Sequence, residues 1–363
     1  MEGSPRTPTD HLALVVPPGL PPGEYRLLLG VGPPGSEVLF SATAAAGTEA
    51  VLLPLATLAV AAPAQPVAPA RLPMEAPLAP PWQDQGITLL GHSGAPPQSR
   101  WLAGTSLAVT LFARSDQAAP PARQLRLALL DNEGNGAAGW EGWPLPNYPP
   151  NAWTEGALVQ LPVLLDLPAT LGDGSYRLVA GLTDPAGDEP PPPADLTIIQ
   201  VYRRPMSFTR PSPAHPLAEP VQFGAHAHLI GYTISDTMNS EDGASEDGAS
   251  EHRTLLVALD WEVTQTLLPP HHLFVHLTTP DGALVAQSDG PPVTVEGAAP
   301  SGSWLPGEFL RTLTYVELPD ELPAPVEALA LRVGLYEPES QVRLPASQGG
   351  RPIGDAAVLP LRP

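Results

Sequence analysis

The sequence predicts an all-β chain: tandem immunoglobulin-like β-sandwiches, two complete and one partial at the N-terminus, joined by Pro-rich linkers. Three observations predict it. A strand-and-turn pattern recurs three times along the 363 residues. Inside the recurring segments apolar and polar residues alternate with period two, which marks half-buried strands. Proline occurs 51 times, too often for long helices, because it lacks the N–H and clashes with the preceding turn.

The repeat fixes the elements in order. Pro21 to Gly35, Gly172 to Gly187 and Val326 to Pro338 each read as a strand that ends at Gly30, Gly181 or Gly334 and is followed by a Pro-containing turn. The second and third copies also match upstream. Trp153-Thr-Glu-Gly156 corresponds to Trp304-Leu-Pro-Gly307, and a strand follows each, over Ala157 to Leu165 and Glu308 to Leu318. Before each Trp lies another strand, Gln124 to Leu130 or His272 to Thr278. The copies open on Gly86-Ile-Thr-Leu-Leu-Gly91 and Ala227-His-Leu-Ile-Gly-Tyr232, followed by strands Ser106 to Arg114 and Thr254 to Val263. About seven short strands per copy, separated by turn signals, is the spacing of a β-sandwich. The first copy has only the last strands, starting at His11 to Val16. A half-sandwich exposes edges and half a core, so either it docks onto the second copy or Met1 is not the natural start of the domain.

The predicted limits are a partial sandwich over 1–62, a Pro/Ala-rich linker over 63–84, a sandwich over 85–202, a Pro-rich linker over 203–220, and a sandwich over 221–363. An acidic hairpin insert occupies 240–251. Linkers of this composition run extended and act as semi-rigid spacers.

Charge and composition exclude several function classes. Seventeen basic residues, all Arg, face 38 acidic ones, giving a formal charge of −21. Such a chain cannot displace phosphate counterions, so nucleic acid is not an expected partner. Zero cysteines exclude disulfides, thiolate catalysis and Cys-ligated zinc. No segment approaches the apolar length of a membrane span, and residues 1–6 lack the features of a secretory signal. Insertion of this chain into a membrane is therefore not expected.

Within the third copy stand Leu273-Phe-Val-His-Leu277, Asp281-Gly282, Leu284-Val-Ala-Gln287, Asp289-Gly-Pro-Pro292, Trp304-Leu-Pro-Gly-Glu308, Leu318-Pro and Val333-Gly-Leu-Tyr336. These motifs resemble soluble β-sandwich accessory modules of Chloroflexota-type envelope proteins, as found after the membrane region of glycosyltransferases similar to protein O-mannosyltransferases. The resemblance covers about Val221 to Pro363 well and Gln85 to Tyr202 loosely. It implies an accessory, extracytoplasmic module whose partner is an envelope protein or a glycan. The family's catalytic acids lie in membrane helices and their loops, and no position here corresponds to them.

Four candidate sites emerge. Trp140, Trp143, Tyr148 and Trp153 fall within 14 residues of a Gly/Pro-rich stretch. Trp140, Trp143 and Tyr148 are the candidate platform for stacking a sugar ring. Trp153 reads as core, since Trp304 is its counterpart. His226 with His228, and His272 with His276, could place two imidazoles on one strand face, yet hydrogen-bonded structural roles are the simpler reading and no metal is expected. The repeat Ser240-Glu-Asp-Gly-Ala-Ser-Glu-Asp-Gly-Ala-Ser-Glu251 lacks EF-hand spacing and reads as a solvated hairpin. No nucleophile elbow, zincin motif, phosphate loop or dinucleotide fingerprint occurs. The expectation is a non-catalytic interaction or spacer module of the cell envelope, without cofactor. A carbohydrate-binding module using the aromatic loop is the alternative.

Overall fold

A computed structural model describes residues 16–30, 42–43, 49–50, 53–61, 67–183, 192–238, 253–319, 321–325 and 328–361. The acidic repeat at 240–251 and most of His11 to Val16 lie outside these residues. The fold is all-β, with helix among the described residues confined to short 3-10 turns. No helix among the described residues is long and apolar enough to cross a membrane.

The middle sandwich contains nine strands: β5 (Ala76–Asp84), β6 (Ile87–Ser93), β7 (Arg100–Leu102), β8 (Ser106–Ser115), β9 (Gln124–Leu130), β10 (Gly136–Gly142), β11 (Leu158–Asp166), β12 (Gly174–Thr183) and β13 (Ala194–Tyr202). They form one sheet in the order β11-β8-β6-β5 and a second in the order β10-β9-β12-β13-β7. The alternating leucines and valines of β8 and β11 meet those of β9 and β12 in one core that includes Leu107, Leu111, Leu127, Leu178 and Trp153.

The C-terminal sandwich repeats this plan. Its strands are β14 (His215–Phe223), β15 (Ala227–Met238), β16 (Arg253–Val263), β17 (His272–Thr278), β18 (Leu284–Gly290), a small hairpin β19 (Val293–Thr294) and β20 (Gly297–Ala298), β21 (Phe309–Glu317), β22 (Ala330–Tyr336), β23 (Ala346–Gln348), β24 (Arg351–Gly354) and β25 (Ala357–Pro360). The sheets run β21-β16-β15-β14-β23-β24 and β18-β17-β22-β25. The order β21-β16-β15-β14 reproduces β11-β8-β6-β5 strand for strand.

Local details repeat as well. Trp153 and Trp304 are both buried, and each donates its indole N–H to the carbonyl five residues back, Tyr148 O at 3.1 Å and Ala299 O at 2.8 Å. Gly91 and Gly231 both sit at a bulge, after Leu89 and Leu229. The chain entering each sandwich crosses directly over that glycine. A Cβ on Gly91 would lie 2.3 Å from Ala76 O, and one on Gly231 2.3 Å from the Pro213 ring.

The N-terminal piece is a hairpin of β1 (Gly23–Leu29) with β4 (Leu53–Val60), alongside a minor pair β2 (Ala42–Thr43) and β3 (Glu49–Ala50). It matches β12–β13 closely. Tyr25 donates to Pro21 O and Tyr176 to Gly172 O, each four residues back, and the bulge falls after Leu27 in one and after Leu178 in the other. Leu178 is fully buried, whereas Leu27 is only half-buried, because the hairpin has no second sheet over it among the described residues. The segment before the hairpin contacts the middle sandwich. Gln160 donates its backbone N–H to Gly19 O at 2.9 Å and its side-chain amide to Pro18 O at 2.6 Å.

Three expectations need correction. Residues 76–84 are strand β5 rather than the end of a linker, and residues 215–220 open strand β14. Proline is tolerated in both because these strands bond to a neighbouring backbone only over part of their length, with irregular register between Pro77 and Trp82 and between Pro216 and Val221. Gly181 and Gly334 lie inside strands instead of ending them. At Gly334 a neighbouring side chain takes the space, since a Cβ there would meet the Phe274 ring at 2.4 Å.

Candidate functional site

The aromatic loop runs along the middle sandwich, with Trp140, Trp143 and Tyr148 all half-buried. Trp140 lies on β10, half-buried, and packs with Tyr148 against the middle core. Trp143, also half-buried, lines an apolar cavity of about 20 Å³ with Leu145, Tyr148, Pro150 and Trp153. That volume holds a single water at most. The ring contact in this group is Tyr148 with Trp153, at 6.4 Å and tilted by 35°. Among the described residues Trp140 and Trp143 enter no ring pair. Burial pushes the Tyr148 hydroxyl above its ordinary pKa. Pro144, Pro149 and Pro150 line the same cavity opposite the core residues Ile87, Leu125 and Leu161.

The histidines are distributed among separate tasks. His226 lies in the turn before β15, and its Nδ1 is buried without a hydrogen-bond partner. His271 is tied into the adjoining turns: its backbone N–H donates to Ser301 Oγ at 2.6 Å and its Nδ1 bonds Pro269 O at 2.7 Å. Burial holds the His271 pKa below the ordinary value, with nearby His226 acting in the same direction. His272 stands edge-on to Tyr336, and His276 bonds Asp289 at 3.0 Å. Among the described residues no group of three or more His, Cys, Asp or Glu could hold a metal ion.

The most specific constellation is one the sequence did not single out: the junction of the two complete sandwiches. Tyr202 ends β13, and its carbonyl accepts from Ala103 N–H at 2.9 Å. Arg203 N–H donates to Asp173 at 2.8 Å, still on the middle sandwich. Arg204, one residue on, is buried in the C-terminal sandwich. Its guanidinium uses all five N–H groups: Nε to Ser303 Oγ at 2.9 Å, one terminal nitrogen to Glu308 Oε1 at 2.5 Å and Pro205 O at 3.1 Å, the other to Glu308 Oε2 at 2.6 Å and Ser303 O at 3.1 Å. Glu308 is fully buried and accepts a further bond from Leu305 N–H at 3.1 Å. Paired and fully hydrogen-bonded in this way, two buried charges are tolerable.

Backbone meets backbone beside this pair. Gly104, in a turn of the middle sandwich with φ of +86°, approaches so closely that a Cβ there would lie 2.3 Å from Ser303 Cα. Three residues beyond Arg204, Ser207 O accepts from Phe309 N–H at 2.8 Å, adding the connecting chain to the edge of β21. The changeover between sandwiches thus takes place across one peptide bond, with Pro205 next to it. Residues 203–207, expected as part of a Pro-rich linker, are pinned on both sides. The sequence signals were Arg-Arg-Pro after a strand and the glutamate that follows the Trp-x-x-Gly motif at 308, where the middle copy has Ala157.

No protein-family model and no curated protein matches the chain.

Proposed function

We propose that the chain is a non-catalytic tandem module of the bacterial cell envelope that works as a rigid spacer and interaction platform, accessory to a membrane-anchored glycosyltransferase-like system. The junction carries this reading. A spacer transmits position only if its units keep a fixed relative orientation, and interfaces between domains of one chain are otherwise weak enough to move. Here a five-donor arginine, a buried glutamate and a glycine-to-backbone contact take up the freedom at the joint. Each complete sandwich resembles an immunoglobulin-like domain in its strand order, with a parallel pairing of β13 and β7 in the middle one. The envelope assignment rests on the resemblance of the third copy, and the −21 charge suits a protein that must stay dispersed.

Because the chain has no cysteine, Asn132→Cys and Glu339→Cys place one spin label on each sandwich without background. A single narrow distance distribution by pulsed electron–electron resonance is expected. A broad one, as for two bodies on a free tether, refutes the spacer reading. Fractionation of cells that make the protein tests its location, and recovery of the chain in the cytosol removes the envelope part of the proposal.

A further inference from the structure

The two sandwiches end on homologous edge strands, and the edges are treated differently. In β11 the residues whose backbone groups face away from β8 are Leu158, Gln160, Pro162 and Leu164, as the register with β8 and the bond from Gln160 N–H to Gly19 O require. Gln160 is taken by the preceding chain, and Pro162 has no N–H to offer. Edges blunted by proline do not invite further strands. In β21 the matching residues are Phe309, Arg311, Leu313 and Tyr315. Phe309 N–H is taken by Ser207, and Leu318 N–H bonds inward to Arg253 O, which fixes the odd-numbered groups from 309 to 317 as outward-facing. Here the slot of Pro162 holds Leu313.

Beside this edge lies an open cavity of about 220 Å³ walled by Met206, Val295, Phe309 and Leu313. Val295, at the tip of the β19–β20 hairpin, is 82% exposed, and Tyr315 is 57% exposed. We infer that the β21 edge from Arg311 to Glu317 is a docking site for an extended, basic strand of a partner protein, which adds to the sheet and places one apolar side chain in the cavity. Continuity argues for a strand: the chain's own Ser207 already pairs on this edge and stops one step before Arg311. Main-chain bonds of this kind supply affinity and a side-chain pocket supplies selectivity.

Charge argues for a basic partner. Arg204 is consumed by Glu308 and Arg311 is held in two bonds by Asp260, at 2.8 and 2.9 Å. The exposed carboxylates of Glu296 and Glu317 remain at the rim. A second copy of this chain, also carrying −21, would meet like charge at the same edge.

The inference names a partner class for the interaction role proposed above, and its test is separate from that of the rigid joint. Fluorescence anisotropy of the full chain is measured with a panel of synthetic peptides that alternate Val, Ile or Phe with Arg, and with the same peptides carrying Glu for Arg or a central Pro. The expected result is saturable binding of the Arg peptides, weakened by salt and abolished by the central Pro. Hydrogen exchange should then show new protection at Arg311, Leu313 and Tyr315. Leu313→Pro, which copies the other sandwich, should weaken binding by about tenfold or more. Val295→Ser, which removes an apolar wall without adding charge on an exposed tip where folding is not at stake, should weaken it as well. Failure of the whole Arg panel to bind overturns the inference, as does equal binding to both variants or protection elsewhere. Dimerisation of the chain through β21 without peptide also overturns it, in favour of a second copy.

Discussion

Substituting Arg204 by Met keeps most of the side-chain length and removes the charge. The structure sets the size of the effect. Five hydrogen bonds are lost, and Glu308, fully buried, keeps only the Leu305 N–H. Removing one partner of a buried pair typically costs about 3–5 kcal/mol, because the remaining charge stays desolvated and uncompensated. Replacing both partners by apolar groups removes that penalty, so Arg204→Met/Glu308→Leu should recover most of the loss. What it cannot recover is the bond to Leu305 N–H, about 1 kcal/mol.

Urea unfolding followed by Trp fluorescence includes the C-terminal core, where Trp261 and Trp304 pack at 5.8 Å, and hydrogen exchange at β16 and β21 separates that transition from the one reported by the tryptophans of the middle sandwich. The single variant should lower the stability of the C-terminal transition by about 3 kcal/mol or more, a factor near one hundred or greater in the folding equilibrium. The double variant should fall within about 1 kcal/mol of the parent. The spin-label distance should broaden in both, because both lose the bonds from residue 204 to Ser303. A loss below about 1 kcal/mol in the single variant, together with an unchanged distance, would refute the argument that this pair holds the joint.

Other outcomes follow from the same geometry. Gly231→Ala and Gly91→Ala each force a methyl into space held by Pro213 or Ala76 and should cost about 1–3 kcal/mol by thermal melt. Gly136→Ala, with nothing within 4 Å of its Cβ, should stay within about 0.5 kcal/mol of the parent. Trp304→Ala should cost about 3–5 kcal/mol, and Trp140→Ala distinctly less, because that ring is half-exposed; equal losses would contradict the packing described. Acidification should destabilise the protein before its carboxylates titrate. Burial holds His92 below its ordinary value of 6.5, outweighing the favourable Leu196 carbonyl and Glu75, and His271 shifts the same way. The unfolded chain then binds protons that the folded one resists, so stability is intact above pH 6.5 and declines as pH falls below it, levelling off under the folded-state pKa. His92→Gln should flatten that decline in melts across the range, and an unchanged slope would show that His92 is not its source.

The strands most legible in the sequence were those whose alternation serves a core. Gln124–Leu130 and His272–Thr278 match their observed limits, and β8, β11, β16 and β21 differ by a residue or so at their ends. Here hydrophobic period and burial are the same fact seen twice. Of the strands that went unread, β5, β14, β10 and β18 lie at sheet edges or join irregularly, where Pro or Gly costs little; β13, between β12 and β7, went unread although its Ile199 and Val201 serve the core. In β5, Pro77, Pro80 and Pro81 look like linker because composition carries no register. The aromatic loop is hard to read for a related reason: Trp140, Trp143 and Tyr148 are large and polar-tipped whether they face solvent or pack on a core. The junction was illegible because its partners are distant. Arg204 and Glu308 stand 104 residues apart, and neither shares a motif with the other until the sheets bring them together.

Comparison of the copies explains why sequence likeness and surface behaviour part company. Ala157 and Glu308 occupy one slot after the Trp-x-x-Gly turn, and Pro162 and Leu313 occupy another on the same strand. Neither exchange disturbs the alternating residues that face the core, Val159 with Leu310 and Val163 with Thr314, so both copies keep the sandwich. Each exchange instead resets what the edge strand offers its surroundings. The acid at 308 gives an incoming arginine something to bind, and the loss of proline at 313 restores a backbone donor. A repeat can therefore acquire a joint and an open edge by changing the buried residue just before this strand and one outward position on it, while the core-facing positions continue to specify the fold.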